Sequence, residues 1–70
     1  VMSDYQARVI EEFEELSDRL VKLQAFITSS PVHAALPDDE RTRLAAQCAA
    51  MTTYAYVLLE RIKAFGGLAA

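Results

Sequence analysis

Val9, Phe13, Leu16, Leu20, Leu23 and Ile27 recur at alternating steps of four and three, the narrow stripe by which one helix of a coiled coil meets another. Leu44, Cys48, Met51, Ala55, Leu58, Ile62 and Phe65 repeat the pattern further along. Two such stripes with a break between them imply two helices folded against each other. Ser3 or Asp4 supplies an N-cap, and neither proline nor glycine interrupts the run to Ile27, so the first helix is expected over about 4–28. Thr28-Ser29-Ser30-Pro31 ends it, because proline lacks a backbone donor and disfavours helix in the residue before it. In the connection, about 29–37, Val32 to Leu36 is read as one short turn whose Val32 and Leu36 cap the end of the pair. Pro37 and the acids Asp38, Asp39 and Glu40 start the second helix, expected over about 38–65, and Gly66-Gly67 stops it. Two helices of nearly equal length on a short connection lie antiparallel. The expected fold is all-α: a single helical-hairpin domain over residues 1–70 with a coiled-coil-like seam.

Size turns this fold into an argument for self-association. A 70-residue chain rarely builds a core contributing more than about 3–5 kcal/mol without disulfides, metal or a second subunit. One cysteine, Cys48, and one histidine, His33, exclude a disulfide framework and a zinc cluster within one chain. Homo-oligomerisation into a larger helical bundle is the remaining route. Ile10, Val21, Phe26, Tyr54, Tyr56, Val57 and Leu59 fall outside the two seams and are too many for a solvated surface. They are read as a subunit interface, with a cofactor pocket as the competing reading. Ala45-Ala46 and Ala49-Ala50 would allow close helix approach.

A net charge of −3 argues against broad binding to polymeric nucleic acid, which needs a clustered basic surface. It leaves room for a small anion held by a few local cations. No apolar run approaches the roughly 20 residues of a membrane span, and no signal segment is recognisable after Val1-Met2, read as a tag remnant before an initiator methionine. The expectation is a cytoplasmic protein with no membrane role.

Side chains able to do chemistry do not converge. Glu11, Glu12, Glu14 and Glu15 read as a solvated acidic face, His33 as a turn residue, and Cys48 as a small hydrophobe on the seam. No enzyme, metal or cofactor is expected. Tyr5, Arg8, Glu12, Glu15, Arg19 and Lys22 share one side of the first helix, and Arg8–Glu12 and Glu15–Arg19 are expected i,i+4 pairs. A tyrosine ring can stack on a base while a cation meets phosphate. Equally, Tyr5 can be a packing anchor and the cations mere complements to the glutamates. Tyr5 and Lys22 stand seventeen residues apart, about 25 Å on a continuous helix. For both to touch one small ligand, either the first turns break away or two protomers contribute.

Tyr5-Gln6-x-Arg8-Val9, Glu11, Glu15-Leu16, Lys22-Leu23 and Phe26-Ile27, followed by Leu36-Pro37, Glu40, Leu44, Gln47, Met51, Tyr54, Val57-Leu58 and Arg61-Ile62, resemble a family of small phage helical hairpins. It includes the phage anti-CBASS sponges and a related domain of phage Thoeris inhibitors. The resemblance covers residues 5–65. It implies a non-enzymatic homohexamer that sequesters cyclic dinucleotides, and in some relatives cyclic trinucleotides, so blocking bacterial immune signalling. Carried over, the base-stacking tyrosine matches Tyr5 and the phosphate-binding lysine matches Lys22, with Arg19 one turn earlier as the alternative. Arg8 lies on the same stripe, and Arg61 matches the second-helix arginine that holds trinucleotides. Relatives often carry an aromatic residue where this chain has Val32-His33, and a lysine near Phe13, so ligand preference is open to change. The competing expectation is an adaptor hairpin that binds a protein partner through Tyr54, Tyr56, Val57 and Leu59.

Overall fold

The computed structural model describes residues 2–67. Helix α1 covers Asp4–Ser29, α2 is a single turn at Pro31–Ala34, and α3 covers Asp38–Ala64. Val1 and residues 68–70, which the expected domain includes, lie outside the described residues. No strand is present among those described.

Each helix end has a chemical cause. Ser3 Oγ accepts the Gln6 backbone N–H at 3.2 Å and Gln6 Oε1 accepts that of Ser3 at 3.1 Å, a reciprocal capping box that satisfies donors the helix cannot. Ser30 ends α1 and caps α2, its Oγ accepting the Val32 N–H at 3.1 Å. At the other end of α3, Gly66 adopts φ +78°. The Gly66 and Gly67 N–H groups donate to the carbonyls of Lys63 and Ile62, each at 3.0 Å, the left-handed stop expected of a glycine pair.

Helices α1 and α3 pack antiparallel: the start of α1 meets the end of α3 through Tyr5 and Phe65. Among the described residues only Val9, Leu16, Leu58 and Ile62 are buried, with Ile10, Phe13, Met51, Ala55 and Phe65 packed round them. All four belong to the two seams, and every other seam residue is half-buried. The result is a rod 49 × 20 × 16 Å with a radius of gyration of 15.2 Å, against about 11 Å for a compact domain of this length. Its surface of 5023 Å² exceeds the roughly 4,400 Å² of a folded monomer of equal mass. A long hairpin cannot enclose its own apolar surface.

The connection departs from expectation in one detail. Val32 does not cap the hairpin; it is 62% exposed. The His33 ring, one residue on, packs edge to face on Phe26 at 5.5 Å, so α2 turns His33 inward and Val32, about 100° round the helix, outward.

A candidate aromatic and cationic face

Tyr5, Arg8, Glu12, Glu15, Arg19 and Lys22 are all exposed. From Arg8 onward each precedes a seam residue by one position, so the stripe lies about 100° round α1 from the seam. Arg61 stands in the same relation to Ile62 on α3 and is also exposed. Because α3 runs opposite to α1, the same backward step turns both stripes toward one broad side of the hairpin. Arg61 therefore shares a face with the α1 residues.

Along that face the candidates separate into two groups. Tyr5, Arg8 and Arg61 gather at the end of the rod where Tyr5 meets Phe65, with ring centroids at 6.3 Å. Tyr5 nonetheless stays 54% exposed, leaving much of its ring free. Arg19 and Lys22 lie toward the connection. α1 is helical throughout Asp4–Ser29 and capped at Ser3, so Tyr5 and Lys22 of one chain stand about 25 Å apart. The first turns do not break away, and within one hairpin these two residues cannot share a small ligand.

The ion pairs differ from those expected. Arg8–Glu12 and Glu15–Arg19 do not form; instead Lys22 Nζ reaches Asp18 Oδ2 at 2.8 Å, with both side chains mostly exposed. Arg8 precedes Glu12, the weaker orientation for such a pair. For Glu15 and Arg19, the gain from an exposed contact is comparable to the entropy lost in fixing two long side chains. Among the described residues, Arg8, Arg19 and Arg61 have no carboxylate partner, whereas Arg41, Arg43 and Lys63 are paired within α3. Three uncommitted guanidinium groups on one face, with an exposed phenol ring at one end, suit a planar anionic ligand.

A shallow, open concavity lined by His33, Asp38, Arg41, Thr42 and Ala45 lies at the connection. Sequence reading does not single it out, since its residues carry no shared periodicity. Arg41 is committed to Asp38 there, which weakens it as an anion site. In the sequence Phe65 reads only as a seam residue; its place in the same end layer as Tyr5 is the available signal for their contact. Among the described residues no group of His, Cys, Asp and Glu is arranged to hold a metal ion, and no helix is long and apolar enough to cross a membrane.

Fold and face together define a slender helical hairpin with an aromatic and cationic broad side. A family model described as Sequestin matches residues 3–64, and the chain belongs to the Sequestin family. Searches among curated proteins and among solved structures found no match.

Proposed function

We propose that this hairpin is a phage anti-defence sponge that binds cyclic di- and trinucleotide messengers and withholds them from bacterial CBASS-type effectors. The observation that carries the reading is the broad face where exposed Tyr5 stands with Arg8, Arg61 and Arg19, cations without carboxylate partners. A family named for sequestration fits it, as does the resemblance to anti-CBASS sponges. Tyr5 stacks on a base, while Lys22, released from Asp18, and the arginines meet the phosphates. Ligands lie between protomers, because one rigid α1 keeps Tyr5 and Lys22 apart, and the working form is a homohexamer in the host cytoplasm.

The protein sequesters without turnover. No nucleophile and base stand together on the face, and binding is nanomolar, about −12 kcal/mol. The fate of the ligand tests this directly. After incubation with a cyclic dinucleotide and denaturation of the complex, the ligand is expected back unchanged; linear products would establish an enzyme instead.

A second reading, an adaptor hairpin for a protein partner, is favoured by the exposure of Val21 and Tyr56, 63% and 62%. Light scattering separates the two. A chain that stays monomeric or dimeric until a protein partner is added fits the adaptor, and a hexamer of the chain alone fits the sponge.

A further inference from the structure

A second exposed tyrosine stands on the broad side that carries Arg19 and Lys22. On α3, Gln47, Ala50, Tyr54 and Arg61 each precede a seam residue by one position and are exposed. Antiparallel packing therefore turns all four to the side of the α1 stripe. The Tyr5–Phe65 contact fixes the register. Counted from it along both helices, Arg19 comes level with Ala50 and Lys22 with Gln47, to within about one residue. Tyr54 stands one turn beyond Ala50. Helical side chains lean toward their own N-terminus, so its ring covers the turn that carries Ala50, with 45% of its surface in solvent.

Ala50 leaves a gap in this layer. With helix axes about 8–10 Å apart, a side chain that ends at Cβ opens room between α1 and α3 for one planar ring. Gln47 borders the gap. Its Nε2 donates to Met51 Sδ at 3.9 Å, which turns the amide toward the Ala50 layer and away from the connection. A thioether is a weak acceptor, so a ligand can take this amide at little cost. On α1 the gap is bordered by Lys22 and by Arg19, which has no carboxylate partner among the described residues.

We infer that this gap is a subsite for one adenine nucleotide unit, built within a single chain. The base stacks on Tyr54, the Gln47 amide reads its edge, and Arg19 and Lys22 hold its phosphate. A glutamine amide sets a donor beside an acceptor, the pair that matches N7 and the N6 amino group of adenine. The neighbouring charges fix the ligand's direction. Glu15 is level with Tyr54, and Arg43, one layer beyond Gln47, is engaged by Asp39 and Glu40. The phosphate therefore lies at Lys22, about 10 Å along α1 from Glu15, where it replaces Asp18. Tyr54 supplies the ring that Tyr5 of the same chain cannot bring to Lys22, and leaves Tyr5 for another base. That the ligand is a nucleotide rests on the proposed function; the place of the subsite rests on the register and on Ala50.

Adenosine monophosphate, a single nucleotide unit, tests the subsite in the full chain without any cyclic ligand. Backbone amide shifts in NMR spectra are expected to centre on Arg19, Lys22, Gln47 and Tyr54, and to be weaker with cytidine monophosphate. Tyr54→Leu keeps an apolar side chain but no stacking ring, and is expected to weaken binding about tenfold or more, while Tyr54→Phe retains it. Ala50→Leu fills the gap with every bordering side chain intact and weakens binding similarly. Shifts absent from these four residues, or Tyr54→Leu and Ala50→Leu binding as the parent chain does, would overturn the inference. Cyclic nucleotides are titrated separately. Cyclic binding that neither variant alters ends the subsite and keeps the sponge; adenosine monophosphate bound at Tyr54 with no cyclic ligand bound keeps the subsite and ends the sponge.

Discussion

The Tyr5 ring meets the Phe65 ring edge to face, centroids 6.3 Å apart and planes at 64°. This contact fastens the first turn of α1 to the end of α3 and holds Tyr5 by one edge, with half its surface free. Tyr5 is thus both a packing residue and the exposed aromatic of the candidate face.

The two roles separate by substitution. Tyr5→Ala is expected to lower cyclic-nucleotide affinity by about 1–3 kcal/mol, the usual worth of one base stacked on an aromatic ring. It also lowers stability, by about 0.5–1.5 kcal/mol for the lost ring pair. Phe65→Leu removes the pair but not the stacking surface, so stability falls while affinity holds. Titration and thermal unfolding of both variants check this, and equal losses of affinity would make Tyr5 a packing residue alone.

In the proposed sponge Asp18 competes with phosphate for Lys22, since the two side chains are 2.8 Å apart and largely exposed. Asp18→Asn is expected to tighten nucleotide binding about two- to fivefold, the worth of an exposed ion pair. Lys22→Ala weakens it about tenfold or more, as loss of a charge-assisted contact does. Titration at low salt reads both effects, and a loss of affinity in Asp18→Asn would show that Asp18 positions the lysine.

Helix ends are expected to be sensitive in proportion to their chemistry. Ser3→Ala breaks the capping box and costs about 1 kcal/mol, with faster hydrogen exchange in the turn that carries Tyr5. Gly66→Ala places a side chain at φ +78° and costs a comparable amount, about 1 kcal/mol. Gly67→Ala costs stability for another reason: its Cβ would stand 2.7 Å from Phe65 Cε1 and 3.0 Å from Ile62 Cγ2, so the Phe65 ring must shift. Denaturant titration ranks all three.

The core is short of alternatives. Leu58 and Ile62 are 1% and 0% exposed, and Leu58→Ala or Ile62→Ala is expected to cost about 2–5 kcal/mol, enough to unfold so small a domain. Val21→Ala, at a position 63% exposed, changes hairpin stability little. A marked loss there, by the same denaturant measurement, would place Val21 in an interface.

Much of this fold was legible in the chain because a narrow seam has a strict period: every buried residue among those described stands on one of the two stripes. Ser3 and Gly66-Gly67 were legible as end signals for equally local reasons. Side-chain pairing was not. Lys22 takes Asp18 in place of the expected Arg8–Glu12 and Glu15–Arg19 pairs, a choice decided by a few tenths of a kcal/mol among exposed rotamers. Nor does the α1 stripe by itself place Arg61 on the face of Tyr5 and Arg8. That follows only when antiparallel packing turns the two stripes to the same side. The outward turn of Val32 likewise depends on a contact, His33 on Phe26, that connection residues do not advertise.

In the proposed function this face holds a cyclic nucleotide. Isothermal titration of the assembled protein with a panel of cyclic di- and trinucleotides tests it most directly. Nanomolar binding of at least one is expected, with affinity weakened in Tyr5→Ala and Lys22→Ala while the oligomer persists on a sizing column. No binding by any member of the panel would contradict it.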